Sequence, residues 1–216
     1  KDPFALRRSA LGLVRILIEA DIELPINKLI ALSANALSAQ IEVDPELLLD
    51  VQEFIVDRLV NYYRDQGFGS ELISAVLNSG WRTLPDLNAR LNALSSFMGQ
   101  KDAASLAAAN KRIGNILRKT EDSISEKIDT SLLLIEEERL IFEEIEKLEE
   151  QLVPLLDKGD YEASLKLLAG LRGPVDGFFD AVMVMDEDST LRINRLSILA
   201  KLKALFDRIA DLSVLG

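Results

Sequence analysis

Residues 177–212 read GFFDAVMVMDEDSTLRINRLSILAKLKALFDRIADL. The acidic triplet Asp186, Glu187 and Asp188 divides two apolar runs and predicts two helices joined by a turn. In the second run Leu191, Leu199, Leu202, Leu205, Phe206 and Ile209 share one broad stripe at helical spacing, the pattern of a core-facing helix. Asp188 and Ser189 are short polar residues suited to accept hydrogen bonds from the free amides at that helix's start. Met183 and Met185 are expected to fill core space. A stripe this long has to be covered by other helices, whose outer faces should carry the function.

Composition supplies those helices. Of 216 residues, 48% are hydrophobic and only 6% aromatic. Leu, Ile and Ala dominate, which suits helix-on-helix packing. No run of roughly 18 apolar residues predicts a membrane span. The charged start, KDPFALRRSALGLVRIL, lacks a small-residue cleavage site and reads as domain interior, a piece of something longer, rather than a signal peptide. There is no Cys and no His. That excludes disulfides and thiolate or imidazole metal sites, and removes the commonest general base and nucleophile. The net charge of −11 disfavours bulk attraction to nucleic acid, so any such function must rest on a local basic face.

Start and stop signals outline the remaining helices. Asp2-Pro3 opens one that runs to about Ala20, and Pro25 opens a second through Leu37. Asp44-Pro45 opens a third, stopped at Gly67. A short one runs from Ser70 to near Gly80. Pro85-Asp86 begins a helix through Phe97, and Asp102 is placed to cap Ala103–Lys119. Residues 119–128 are polar and mixed, as in a mobile loop. A long acidic helix is expected over 132–156, interrupted or ended near Pro154. Asp160 is placed to cap a helix over 161–171, and Gly173-Pro174 separates it from the stretch quoted first. Sustained period-two alternation is missing, so no sheet is expected.

Chemistry concentrates on Ala103–Lys119, AASLAAANKRIGNILRK. Lys111, Arg112, Asn115, Arg118 and Lys119 gather on one side at helical periodicity, with Leu106, Ile113, Ile116 and Leu117 opposite. The segment contains no acid. Arg forks can grip phosphate or stack on a base, and Asn115 can read a base edge. The alternative is a solvated helix exterior whose basic end offsets the dipole. A second basic group, Arg192, Arg195 and Lys203, borders the apolar stripe, where long stems can also cover core edges. Residues 121–150 are the opposite in sign, with only Lys127, Arg139 and Lys147 among twelve acids. A carboxylate metal site would want Glu-x-x-His pairs, and a solvated acidic face is the favoured reading. No phosphate loop is present, and no serine has a credible base. Trp81 reads as a packing residue at a helix junction, with a stacking platform as the alternative.

Three stretches resemble one family in order: DPFALRRSALGLVRILIE, AAANKRIGNILRK and GFFDAVMVMDEDSTLRINRLSILAKLKALFDRIADLSVL. Together they resemble the C-terminal part of the beta subunit of bacterial-type glycyl-tRNA synthetase. The resemblance implies an anticodon-binding helical bundle of the type shared with arginyl-tRNA synthetase, and recognition of the two cytosines of the glycine anticodon. It also implies that ATP and glycine chemistry belong to a separate alpha subunit. The family's Asp-Ala-Leu-Arg-like phrase is echoed only loosely, by residues 91–94.

The expectation is therefore an all-α chain. A helical connector over 1–80 follows an HD-like domain, and an anticodon-binding bundle occupies 81–216. The chain should bind glycine tRNA and catalyse nothing by itself. It should hold no cofactor or metal of its own, although ATP serves the complex. Its protein partner is the alpha subunit, met through the full beta subunit, and its setting is the bacterial cytoplasm or an organelle. Lys111, Arg112 and Lys119 are assigned to phosphates, Asn115 and Arg118 to base edges, and Arg192 and Arg195 to secondary phosphate contacts. The rival reading is a purely structural helical module that mediates subunit contacts.

Overall fold

The computed structural model describes residues 3–40, 43–101 and 103–215. Among these residues the fold is all-α. Its helices are α1 Pro3–Glu19, α2 Ile26–Leu37, α3 Pro45–Asp65, α4 Ser70–Leu77, α5 Leu84–Met98, α6 Ala103–Lys119, α7 Glu136–Asp157, α8 Tyr161–Ala169, α9 Arg172–Ala181 and α10 Ser189–Asp207. Single 3-10 turns lie at Thr130–Leu132 and Leu212–Val214. Asp2 of the first start pair and the expected cap Asp102 lie outside the described residues.

Local chemistry sets most of the boundaries. Asp44 accepts from the Glu46 amide at 2.9 Å with Pro45 behind it, and Asp160 accepts from the Ala163 amide at 3.1 Å. Gly67, at φ 91°, ends α3 in a left-handed turn. Its amide bonds the Arg64 carbonyl, the next amide bonds that of Tyr63, and the Phe68 ring packs edge-on against Tyr63. Two expected breaks are absorbed instead. Helix α7 continues past Pro154 to Asp157; Pro154 and Glu150 are both exposed, so water can serve the carbonyl that a proline leaves without a helical partner. Gly173 and Pro174 lie within the first turn of α9, where amides have no helical partner in any case. Helix α7 also starts later than expected, at Glu136, where the Glu138 carboxylate folds back to accept from the Ile135 amide at 2.9 Å.

Helix α10 is more central than a single stripe implies. Asn194 to Leu199 are buried in succession, so the helix is covered on every side. It packs on α6 and α7, while α7 also packs on α8 and α9. Helices α1 and α4 both pack on α5. Arg90 on α5 reaches across to the end of α10. Its Nη1 donates to the carbonyls of Arg208 at 2.6 Å and Ile209 at 3.2 Å. Asp86 holds the same guanidinium at 3.1 Å, and the Tyr161 ring lies 4.5 Å beneath it. A cation at the C-terminal end of a helix satisfies carbonyls that have no helical partner.

Candidate nucleic-acid interface

Helix α6 buries Ala103, Leu106, Ala107, Asn110, Ile113 and Gly114 against the bundle. Gly114 permits the close approach. A Cβ there would sit 3.3 Å from Ser213 Cβ in the Leu212–Val214 turn. With that face fixed inward, helical geometry sends Lys111, Arg112, Asn115, Arg118 and Lys119 outward, and all five are exposed. No carboxylate pairs with Arg112, Arg118 or Lys119 among the described residues. The Arg112 guanidinium stacks 4.1 Å over the Phe179 ring of α9. Arg118 donates to Asn115 Oδ1, which leaves the Asn115 amide hydrogens available for another acceptor. The result is a ridge of fixed positive charge in an acidic chain.

Arg192 and Arg195, the secondary phosphate candidates, are placed otherwise, each engaged by carboxylates of the bundle. Arg192 forms a two-pronged pair with Asp122, Nε to Oδ2 at 2.8 Å and Nη2 to Oδ1 at 3.2 Å. Its Nη1 donates to the Asp186 carbonyl at 2.6 Å. That fork holds the Asp122 carboxyl below the usual carboxylate range. Arg195 is buried. It donates to Glu138 Oε1 at 2.5 Å, Asp186 Oδ2 at 2.6 Å and the Met183 carbonyl at 2.9 Å. Both side chains are spent on internal carboxylates and carbonyls, so phosphate would have to displace those partners. Lys203 is similarly held by Asp207 and Asp211, and Lys201 by Glu146 and Glu149.

Two further expectations change. Residues 119–128, read as a mobile loop, belong to a segment tied down by Arg192 at Asp122 and by a reciprocal pair between Asn194 and the Asp129 backbone, at 2.8 and 3.0 Å. Met183 and Met185 are not core filler. They are 71% and 53% exposed, while Val182 and Val184 beside them are buried. Helix α9 ends at Ala181, Val182 is extended and the chain bends at Val184 and Met185, so the helical periodicity read across this stretch misleads. Phe179, the ring beneath Arg112, is not singled out by the sequence pattern. Its only sequence signal is the Phe178-Phe179 pair, whose first ring fills the core and whose second is left partly open. Trp81, by contrast, donates from Nε1 to the Leu77 carbonyl at 3.3 Å, as a junction residue would. Among the described residues no cluster of acids has the arrangement of a metal site, and no helix is long and apolar enough to cross a membrane.

Comparison with known proteins places this geometry. Residues 1–78 match the family model described as glycyl-tRNA synthetase beta subunit, and residues 106–215, more than half of the chain, match the DALR anticodon binding domain. Proteins named glycine–tRNA ligase beta subunit are similar throughout. That of Methylobacillus flagellatus is 43% identical across 100% of this chain and 30% of its own length. Those of Glaesserella parasuis and Vibrio cholerae are each 44% identical across 99% of this chain and 31% of theirs. The chain thus spans about a third of the length of the curated relatives it matches. It belongs to the glycyl-tRNA synthetase beta-subunit family, with residues 106–215 forming its DALR anticodon-binding domain.

Proposed function

We propose that this chain grips glycine tRNA for a glycyl-tRNA synthetase, with α6 set against the anticodon arm. The observation that carries the reading is the exposed basic face of α6, on which Arg112, Arg118 and Lys119 meet no carboxylate among the described residues, inside the segment matched as an anticodon-binding domain. Lys111, Arg112 and Lys119 take phosphates, while Arg118 and Asn115 meet base edges, including those of the two anticodon cytosines. The connector over 1–80 and the bundle over 81–216 act as one support for that ridge. ATP and glycine are handled by an alpha subunit, no cofactor is held by this chain, and the complex works in the bacterial cytoplasm.

Filter binding tests the reading. The chain should retain glycine tRNA in preference to the same tRNA with a changed anticodon, and affinity should fall steeply with salt. Equal, salt-insensitive or absent binding sinks it. A structural role in subunit contacts has its own supporting observation, the exposed Phe4, Leu6, Ile16 and Leu49 on α1 and α3. Under that reading alone, Arg112→Glu with Lys119→Glu leaves tRNA charging by the full complex intact.

A further inference from the structure

We infer that Met183, Met185 and the Arg112–Phe179 stack form a ledge that receives an unpaired RNA base beside the α6 ridge. This rests on the tRNA-binding reading and adds a subsite to it. The first observation is rigid display of apolar surface. Met183 and Met185 project to solvent from a strap whose alternate residues, Val182 and Val184, are anchored in the core. The backbone of that strap is pinned twice. Arg195, itself buried against Glu138, bonds the Met183 carbonyl, and Arg192 bonds the Asp186 carbonyl. These methionines are held out on a fixed support.

The second observation is where the strap runs. Arg192 grips Asp186 and Asp122 together, and Asp122 follows Lys119 by three residues. At the other end, Phe179 carries Arg112 on its ring and precedes Met183 by four residues. The strap is therefore held to the α6 side of the bundle at two points. A guanidinium stacked on one ring offers its other planar face to solvent, and a nucleobase can complete that stack. Thioethers pack on aromatic edges and faces without demanding a particular base. Cations for the backbone beside apolar surface for base faces suit single-stranded nucleic acid. A duplex hides its base faces and could use only the cations.

The test compares two RNAs of equal phosphate number. One is a hairpin with the open glycine anticodon loop, the other a continuous duplex. Binding of the chain and of its Met183→Gln/Met185→Gln variant is measured at one salt concentration. Glutamine keeps the length of each exposed side chain, and circular dichroism checks the fold. The variant should lose roughly tenfold affinity for the open loop, the scale of one stacked base, and nothing for the duplex. In parallel, the open loop should slow peroxide oxidation of both methionines in the parent chain, and the duplex should not. Unchanged loop binding, or equal loss on both RNAs, overturns the ledge while α6 binding stands. If the parent chain binds neither RNA, the ledge and the tRNA reading fall together. Loss of alpha-subunit association with loop binding intact would instead make the strap a protein-docking surface and overturn the proposal.

Discussion

Arg195 and Glu138 are 57 residues apart, yet Nε and Oε1 meet at 2.5 Å with both side chains almost fully withdrawn from water. The pair joins α10 to the start of α7, and Glu138 also closes the first turn of α7. Removing one member leaves the other charge buried and unpaired. Arg195→Ala should therefore destabilise the fold by about 3 to 5 kcal/mol. Arg195→Lys should recover only part of that, since an ammonium lacks the fork that also reaches Asp186 and Met183. Urea denaturation of the two variants measures both effects.

Charge reversal on α6 should have the opposite profile. Arg112→Glu with Lys119→Glu touches exposed side chains and should leave the melting temperature nearly unchanged. Affinity for glycine tRNA should collapse. The milder Arg112→Gln with Lys119→Gln should lower the slope of log affinity against log salt by about 1.5, the loss of two phosphate contacts. Binding isotherms across a salt series give the slope directly.

Tyr161 makes alkaline stability a readout of the contact between α5 and α8. Burial, followed by its hydrogen bond to Asp86, pushes its phenol up to about 12 from an ordinary 10.0. The folded state thus favours the neutral phenol. Its stabilising contribution is complete below pH 10 and disappears as pH climbs from 10 towards 12. Tyr161→Phe should cost about 1 kcal/mol at neutral pH, and the gap to the parent chain should narrow across that window. Urea midpoints collected from pH 8 upwards would show a constant gap if the hydroxyl contributes nothing.

Gly114 should be sensitive to size in a way that Ser213 controls. Alanine there gains up to about 1 kcal/mol of helix propensity but presses on Ser213 Cβ at 3.3 Å. Leucine has no such space and should cost about 1 to 3 kcal/mol while weakening tRNA binding, because α6 is lifted from its seat. Pairing Gly114→Ala with Ser213→Gly removes the opposing Cβ, and a double-mutant cycle should show positive coupling between the two positions.

Helix positions were largely legible because their causes are local. The pairs Asp44-Pro45 and Asp188-Ser189 and the left-handed Gly67 act within a turn of themselves, and α6 spans the residues that its periodicity predicts. The exposed basic face of α6 was legible for the same reason. Within 103–119 no acid competes, so an inward apolar face forces the cations out.

Which other cations remain free for a ligand depends on partners distant in sequence. Arg192 and Arg195 look as available as Arg112 until Asp122 and Glu138, 70 and 57 residues away, come to meet them. Met183 and Met185 read as core until a non-helical strap after Ala181 replaces helical periodicity and leaves them exposed. The sequence by itself determined an all-α chain with one acid-free basic helix, through caps and periodicity that operate over a few residues. Only the tertiary structure decided which charges are neutralised and which apolar side chains meet water, because burial and pairing depend on segments that folding alone brings together.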